Sequence, residues 1–318
     1  MRSTRPESWR DPAQLEFGVV VAERYRVDGL IGQGASAVVY RAFDLRHERE
    51  VALKVLRFAG ATSDPTFIRF VRESGIGSEL QHPALPVVYE AGIVEQTEAP
   101  YLAMELLEGE TLAQRLRRGP LELDELLPVV ESVTDALEHA HERGIVHRDV
   151  KPSNIFLSID HLRRTQVKLL DFGVGFHTSD TRVTASGVIV GTPGYLAPEQ
   201  LIAAAEIGPL VDLYALGIVM YRALTGAMPF KGRTAEELGR DILTGQPPLP
   251  STLCDVDPGV DAVVLRAMAR LPPQRFQSAR ELFAALRVVS ATLRPVRRGR
   301  DDETTKNQRQ RSEAPTES

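Results

Sequence analysis

The chain has 318 residues, 43% of them apolar and 25% charged, a globular balance that excludes collagen-like, wholly disordered and disulfide-scaffold proteins. Its 38 basic and 43 acidic residues leave a net charge of −5, which argues against a protein built to grip a nucleic-acid backbone. A single cysteine, Cys254, rules out an intrachain disulfide.

From the start, residues 1–14 are polar and broken by proline, with no apolar secretory core, and residues 1–21 read as a flexible arm. Short runs rich in Val, Ala and Leu then predict strands over 25–31, 37–43 and 51–56, with a Gly-rich turn between the first two. A helix is expected over 65–80, and strands over 87–94 and 101–106. After Gly109 the pattern changes to helical spacing. Leu123–Arg143 reads as a helix stopped by Gly144, and helices are expected over 210–225 and 258–270. Ser278 and Glu281 have capping-box spacing and open another. The most apolar helix, Leu213–Leu224, is shorter than the about 20 residues a bilayer requires, so no membrane association is expected and the chain reads as cytoplasmic. Residues 291–318 are polar and charged with almost no apolar side chain, the composition of a disordered tail.

Five segments carry chemistry. Gly32-Gln33-Gly34-Ala35-Ser36-Ala37 lies between two predicted strands, where glycine lets backbone approach a ligand closely. Lys54 sits in the apolar strand Val51-Ala52-Leu53-Lys54. The chain has only five lysines against 33 arginines, so a lysine here points to a need for a compact ammonium, with phosphate and the carboxylate of Glu73 as partners. His147-Arg148-Asp149-Val150-Lys151-Pro152-Ser153-Asn154 places a carboxylate, an ammonium and a carboxamide within six residues: a group to orient a hydroxyl and take its proton, one to neutralise a phosphoryl group, and one to offer oxygen to a hard cation. Asp171-Phe172-Gly173 follows the predicted strand 167–170. Gly191-Thr192-Pro193-Gly194-Tyr195-Leu196-Ala197-Pro198-Glu199 closes a stretch rich in Ser and Thr.

In this order the five segments resemble the signature set of protein kinases, and the chain is similar to bacterial eukaryotic-like Ser/Thr protein kinases from about Tyr25 to Val288. The resemblance implies an α+β, two-lobed fold over 22–290. A small antiparallel lobe with an αC helix would occupy about 22–107, and a larger helical lobe about 108–290. It implies ATP and Mg²⁺ as cofactors and protein Ser/Thr side chains as acceptors. It carries Asp149, Lys151, Lys54 and Glu73 over as catalytic groups, and Asn154 and Asp171 as metal ligands. The nucleotide site would comprise Ile31, Gly32, Gln33, Gly34, Ala35, Ser36, Ala37, Val39, Ala52, Lys54, Met104 as gatekeeper, Glu105 and Leu107 of the hinge, and Phe156. Asp212 would brace the catalytic loop, and Glu199 and Arg275 would form a buried ion pair.

Two departures stand out. Ala37 replaces the third glycine of the loop, and Gly75 and Gly77 interrupt the αC segment, at about 1 kcal/mol each relative to alanine. Gly77 raises the idea of a labile αC that needs a partner or phosphorylation. Arg148 points to phosphorylation of Thr184, Ser186 or Thr181, through self-association in trans. The rival readings are a pseudokinase-like scaffold, which loss of Lys54, Asp149, Asn154 or Asp171 would favour, and a small-molecule phosphotransferase of similar fold.

Overall fold

The computed structural model describes residues 11–34, 36–57, 80–159, 165–171, 193–202 and 207–293. Six strands form an antiparallel sheet in the order β1-β2-β3-β4-β6-β5: β1 Val20–Val21, β2 Tyr25–Gln33, β3 Ala37–Asp44, β4 Arg49–Leu56, β5 Val88–Ile93 and β6 Pro100–Glu105. The five strands predicted for this sheet are all present, with ends shifted by one or two residues. Side chains alternate across a strand, and here the alternation divides labour. Val38, Tyr40, Ala42, Val51, Leu53, Val55, Tyr101 and Ala103 point to one face and form the core of this lobe with Ala13, Leu15 and Val21. The interleaved residues Val39, Lys54, Ala52 and Met104 share the other face, since Val39 is paired with Lys54, and Ala52 with Met104.

Residues 11–21, expected as part of a flexible arm, are packed on that sheet. Ala13 is fully buried. The Tyr40 phenol donates to the Ala13 carbonyl at 2.9 Å and accepts from the Leu15 amide at 2.8 Å, and Asp11 is ion-paired with Arg57. The buried phenol needs a partner for both donor and acceptor, and the arm supplies both.

The second lobe begins with a three-stranded sheet of β7 Gly109–Thr111, β8 Ile155–Ile159 and β9 Thr165–Leu169. Gly109 has φ +139, and a Cβ there would stand 2.1 Å from the Leu157 carbonyl oxygen, so only glycine lets the chain leave the hinge this way. Helices follow: α1 Leu112–Arg115, α2 Leu123–His141, α3 Pro198–Leu201, α4 Leu210–Thr225, α5 Ala235–Thr244, α6 Pro258–Ala267 and α7 Ala279–Leu293. α2 buries Leu126, Val129, Val130, Val133, Ala136, Leu137 and Ala140, the 3–4 spacing of one helix face, and Gly144 at φ +73 turns the chain away. From Leu213 to Tyr221, α4 is apolar on every side and buried on every side. Each of its fully buried Leu, Ile and Val side chains contributes about 1.5–3 kcal/mol.

α6 ends at Ala267, three residues before the predicted end. The carbonyls of Ala269 and Arg270 accept instead from the Arg275 guanidinium at 2.7 and 3.0 Å. At the start of α7 the Glu281 amide donates to Ser278 Oγ at 3.1 Å. The reciprocal bond goes to the Gln277 amide at 2.7 Å, one residue upstream of the expected capping box. Among the described residues no helix is long and apolar enough to cross a membrane.

Candidate active site

The two lobes join through residues 105–108, and the sequence-predicted groups collect on either side of that joint. From the sheet, β2 and β3 carry Ile31, Gly32, Gln33, Ala37 and Val39, with Gly32 opposite Val39. The turn between them is closed by the Gly34 amide donating to the Ala37 carbonyl at 2.8 Å. Ala52 and Lys54 follow on β4, and Met104 and Glu105 on β6. From the other lobe, Phe156 sits on β8, and Asp149, Lys151, Asn154 and Asp171 lie on the connections flanking β8 and β9. Ala35, Glu73 with Gly75 and Gly77, Thr181, Thr184, Ser186 and residues 294–318 lie outside the described residues.

Five of these groups are joined by a continuous set of contacts. Asn154 Nδ2 donates to the Asp149 carbonyl at 2.8 Å and to Asp149 Oδ2 at 3.0 Å. Lys151 Nζ donates to Asp149 Oδ2 at 2.7 Å. The Asn154 carbonyl accepts from the Leu170 amide at 2.7 Å, which fixes the strand end that presents Asp171. Lys54 Nζ, 117 positions earlier in the chain, lies 2.5 Å from Asp171 Oδ1. Burial works to raise the Asp171 carboxyl, but the Lys54 ammonium together with His147 and Lys151 outweighs it and holds the group below the usual carboxylate range.

The backbone here is held under strain. Arg148 has φ +66 and Asp171 φ +64, a region that costs a non-glycine residue about 1–3 kcal/mol. Asp212 of α4, fully buried, supplies the compensation for the first. Its two oxygens accept from the His147 amide at 2.8 Å, the Arg148 amide at 2.7 Å and His141 Nε2 at 2.8 Å. This is the bracing role inferred from sequence. The ion pair expected between Glu199 and Arg275 is also formed, bidentate, at 2.7 Å for both bonds, with Arg275 fully buried.

Sequence reasoning missed three connectors. His147 Nε2 bonds the Leu170 carbonyl at 2.8 Å, tying the two acidic segments together. His141 holds Asp212. Lys168, buried on β9, donates to Glu105 Oε2 at 3.0 Å and to the Leu85 carbonyl at 3.1 Å, so one ammonium pins the hinge to the other lobe. Its rarity among the basic residues was the available signal, the same one that marked Lys54.

Chemically, the site offers hard oxygen ligands on Asp171 and Asn154. The Asn154 amide nitrogen is turned to Asp149, which directs its oxygen elsewhere. Such a set suits a small divalent cation that keeps several of its waters. The half-exposed Asp149 carboxylate is placed to accept a proton, and the two lysines suit phosphate.

The Protein kinase domain family matches residues 25–264. Serine/threonine-protein kinase PknB of Mycolicibacterium smegmatis is 38% identical over 273 residues, which is 84% of this chain and 43% of that protein. PrkC of Bacillus subtilis is 36% identical over 86% of this chain and 41% of its own length, so the chain spans about two-fifths of either relative. PknL of Mycobacterium tuberculosis is 37% identical over 89% of this chain and 69% of its own. The crystal structure of the M. tuberculosis PknI kinase domain superposes with a TM-score of 0.70 at 30% identity, covering 87% of this chain and all of that one. With the two-lobed α+β fold and the motif order in agreement, the chain belongs to the protein kinase family, among its bacterial eukaryotic-like serine/threonine members.

Proposed function

We propose that the chain transfers the γ-phosphoryl group of Mg-ATP to Ser and Thr hydroxyls of proteins, its own activation segment included. The observation that carries this reading is the bonded path from Asp149 through Asn154 and Leu170 to Asp171 and Lys54. It brings a base, two oxygen ligands and an ammonium from three distant segments to one place.

In this reading residues 22–290 are the kinase domain. Asp149 orients the acceptor hydroxyl and accepts its proton. Lys151 neutralises the transferring group, and Lys54 holds the α- and β-phosphates, with Glu73 as its second partner. Gly32 and Gly34 allow the loop backbone, with Gln33, Ala35 and Ser36, to approach the phosphates. Ile31, Ala37, Val39, Ala52, Met104, Leu107 and Phe156 enclose the base beside the hinge backbone at Glu105. Asn154 and Asp171 would hold Mg²⁺, which when bound supplies charge neutralisation across the phosphate oxygens. The protein contributes positioning and electrostatics, which is most of what this reaction needs.

Lys54, Asp149, Asn154 and Asp171 are all present, which favours a catalyst over a silent scaffold. The test is incubation with γ-labelled ATP and Mg²⁺, alone and with a generic basic protein, followed by phosphoamino-acid analysis. Labelled phosphoserine and phosphothreonine are expected, with self-labelling at Thr184, Ser186 or Thr181 that rises with enzyme concentration. No label on either protein would overturn the proposal, and label on a metabolite alone would indicate the small-molecule phosphotransferase.

A further inference from the structure

A groove of about 1050 Å³ runs between α2 and the β7–β8–β9 sheet, and none of the candidate catalytic residues lines it. Its aliphatic lining includes the buried Leu121, Val129 and Val167 and the half-exposed Ile159. Its α2 wall is acidic. Glu131 and Asp135 stand one turn apart on the same helix face. Among the described residues Glu131 has no ion pair, and Asp135 has only His82, at 3.1 Å. Like charges at this spacing repel, and a cationic occupant would relieve them.

The chain itself carries such an occupant close by. α7 starts against the last turns of α2, where the Arg280 amide donates to Glu138 Oε2 at 3.1 Å and its guanidinium lies 3.6 Å from Glu142. The two helices pack along one another, so α7 runs antiparallel to α2. Its 15 residues carry the chain about 22 Å back along α2 before Leu293. The next seven residues, Arg294-Pro295-Val296-Arg297-Arg298-Gly299-Arg300, contain four arginines, a proline and a valine. Extended, they reach about 23 Å, enough to return from Leu293 to Glu131 and Asp135.

We propose that segment 294–300 docks in cis in this groove, its guanidinium groups on Glu131 and Asp135 and Val296 over the aliphatic lining. The tether gives the segment a high effective concentration at the groove, so modest contacts suffice. This contact would tie the tail to the lobe that carries Asp149 without touching any candidate catalytic residue, so it stands whether or not the protein transfers phosphate.

The test is limited trypsin digestion of the full chain, read by intact mass. Cleavage after Arg297, Arg298 and Arg300 is compared with cleavage after Arg309 and Arg311 in the same tail. In the wild type the inner sites should be cut about tenfold more slowly than in Glu131→Gln/Asp135→Asn, since cleavage follows the population of the released form. Raising salt to 1 M should release the wild-type tail as well. Neither exchange adds a trypsin site, and both positions are exposed. Equal inner-site rates in wild type and variant would overturn the proposal. Protection that grows with protein concentration would also overturn it, by assigning the groove to the tail of a second copy.

Discussion

Replacing Asp212 by asparagine tests how the fold holds the loop that carries Asp149. The carboxylate accepts from two backbone amides and an imidazole at 2.7–2.8 Å. An amide of the same shape has one accepting oxygen, and its NH₂ group would face the other loop amide, donor against donor. One buried N–H is then stranded, at a cost of about 1–3 kcal/mol. Arg148, at φ +66, also loses part of what holds it. For a chain of this size each kcal/mol corresponds to roughly 2–4 °C of melting temperature. Urea unfolding of Asp212→Asn should show a loss in this range. Steady-state kinetics should show a fall in kcat with little change in KM for ATP, because Asp212 orients the loop from α4 and does not belong to the strands proposed to hold the nucleotide. Stability and kcat both equal to wild type would refute the reasoning.

Three further outcomes are expected. Arg275→Met strands Glu199 and three carbonyls that the guanidinium now satisfies, and should cost about 3–5 kcal/mol in urea; a loss under about 1 kcal/mol would contradict the buried pair. Gly109→Ala drives a methyl group into the Leu157 carbonyl at a positive φ, and should lower the melting temperature by several degrees; an unchanged transition would show that the hinge exit is not constrained as described. The bonds from Arg24, aided by those from Arg46 and His47, hold the Asp44 carboxyl well below the usual range. A depressed folded-state pKa adds stability that is present above about pH 4, the unfolded value, and is lost as pH falls below it. Between pH 4 and 2 the wild type should therefore lose stability more steeply than Asp44→Asn, and parallel curves would count against the linkage.

The elements legible in the sequence were those whose burial follows a period. The alternation in β3, β4 and β6 and the apolar run 213–221 within α4 come from single faces or whole surfaces meeting a core. What stayed hidden depends on contacts between distant positions. The docking of residues 11–21 rests on contacts with distant positions, the Tyr40 phenol meeting two backbone groups 25 and 27 positions away and Arg57 pairing with Asp11, which leave no pattern in the arm itself. β7 is three residues long, too short for any period. The site divides the same way. Asp149, Lys151 and Asn154 were readable because they sit within six residues. Lys54 and Asp171 came from motif order, and their meeting comes from the sheet register and the hinge. Lys168 with Glu105 and His141 with Asp212 span 63 and 71 positions, and only the folded chain brings them together.

The proposed chemistry rests most heavily on Asp149, and single-turnover transfer by Asp149→Asn tests it most directly. Mg-ATP should bind within about threefold of wild type, because the role proposed for this carboxylate is at the acceptor hydroxyl, while phosphoryl transfer falls by about 10²–10⁴-fold. Transfer at the wild-type rate would contradict the assignment of Asp149 as the base and the reading of the site built around it.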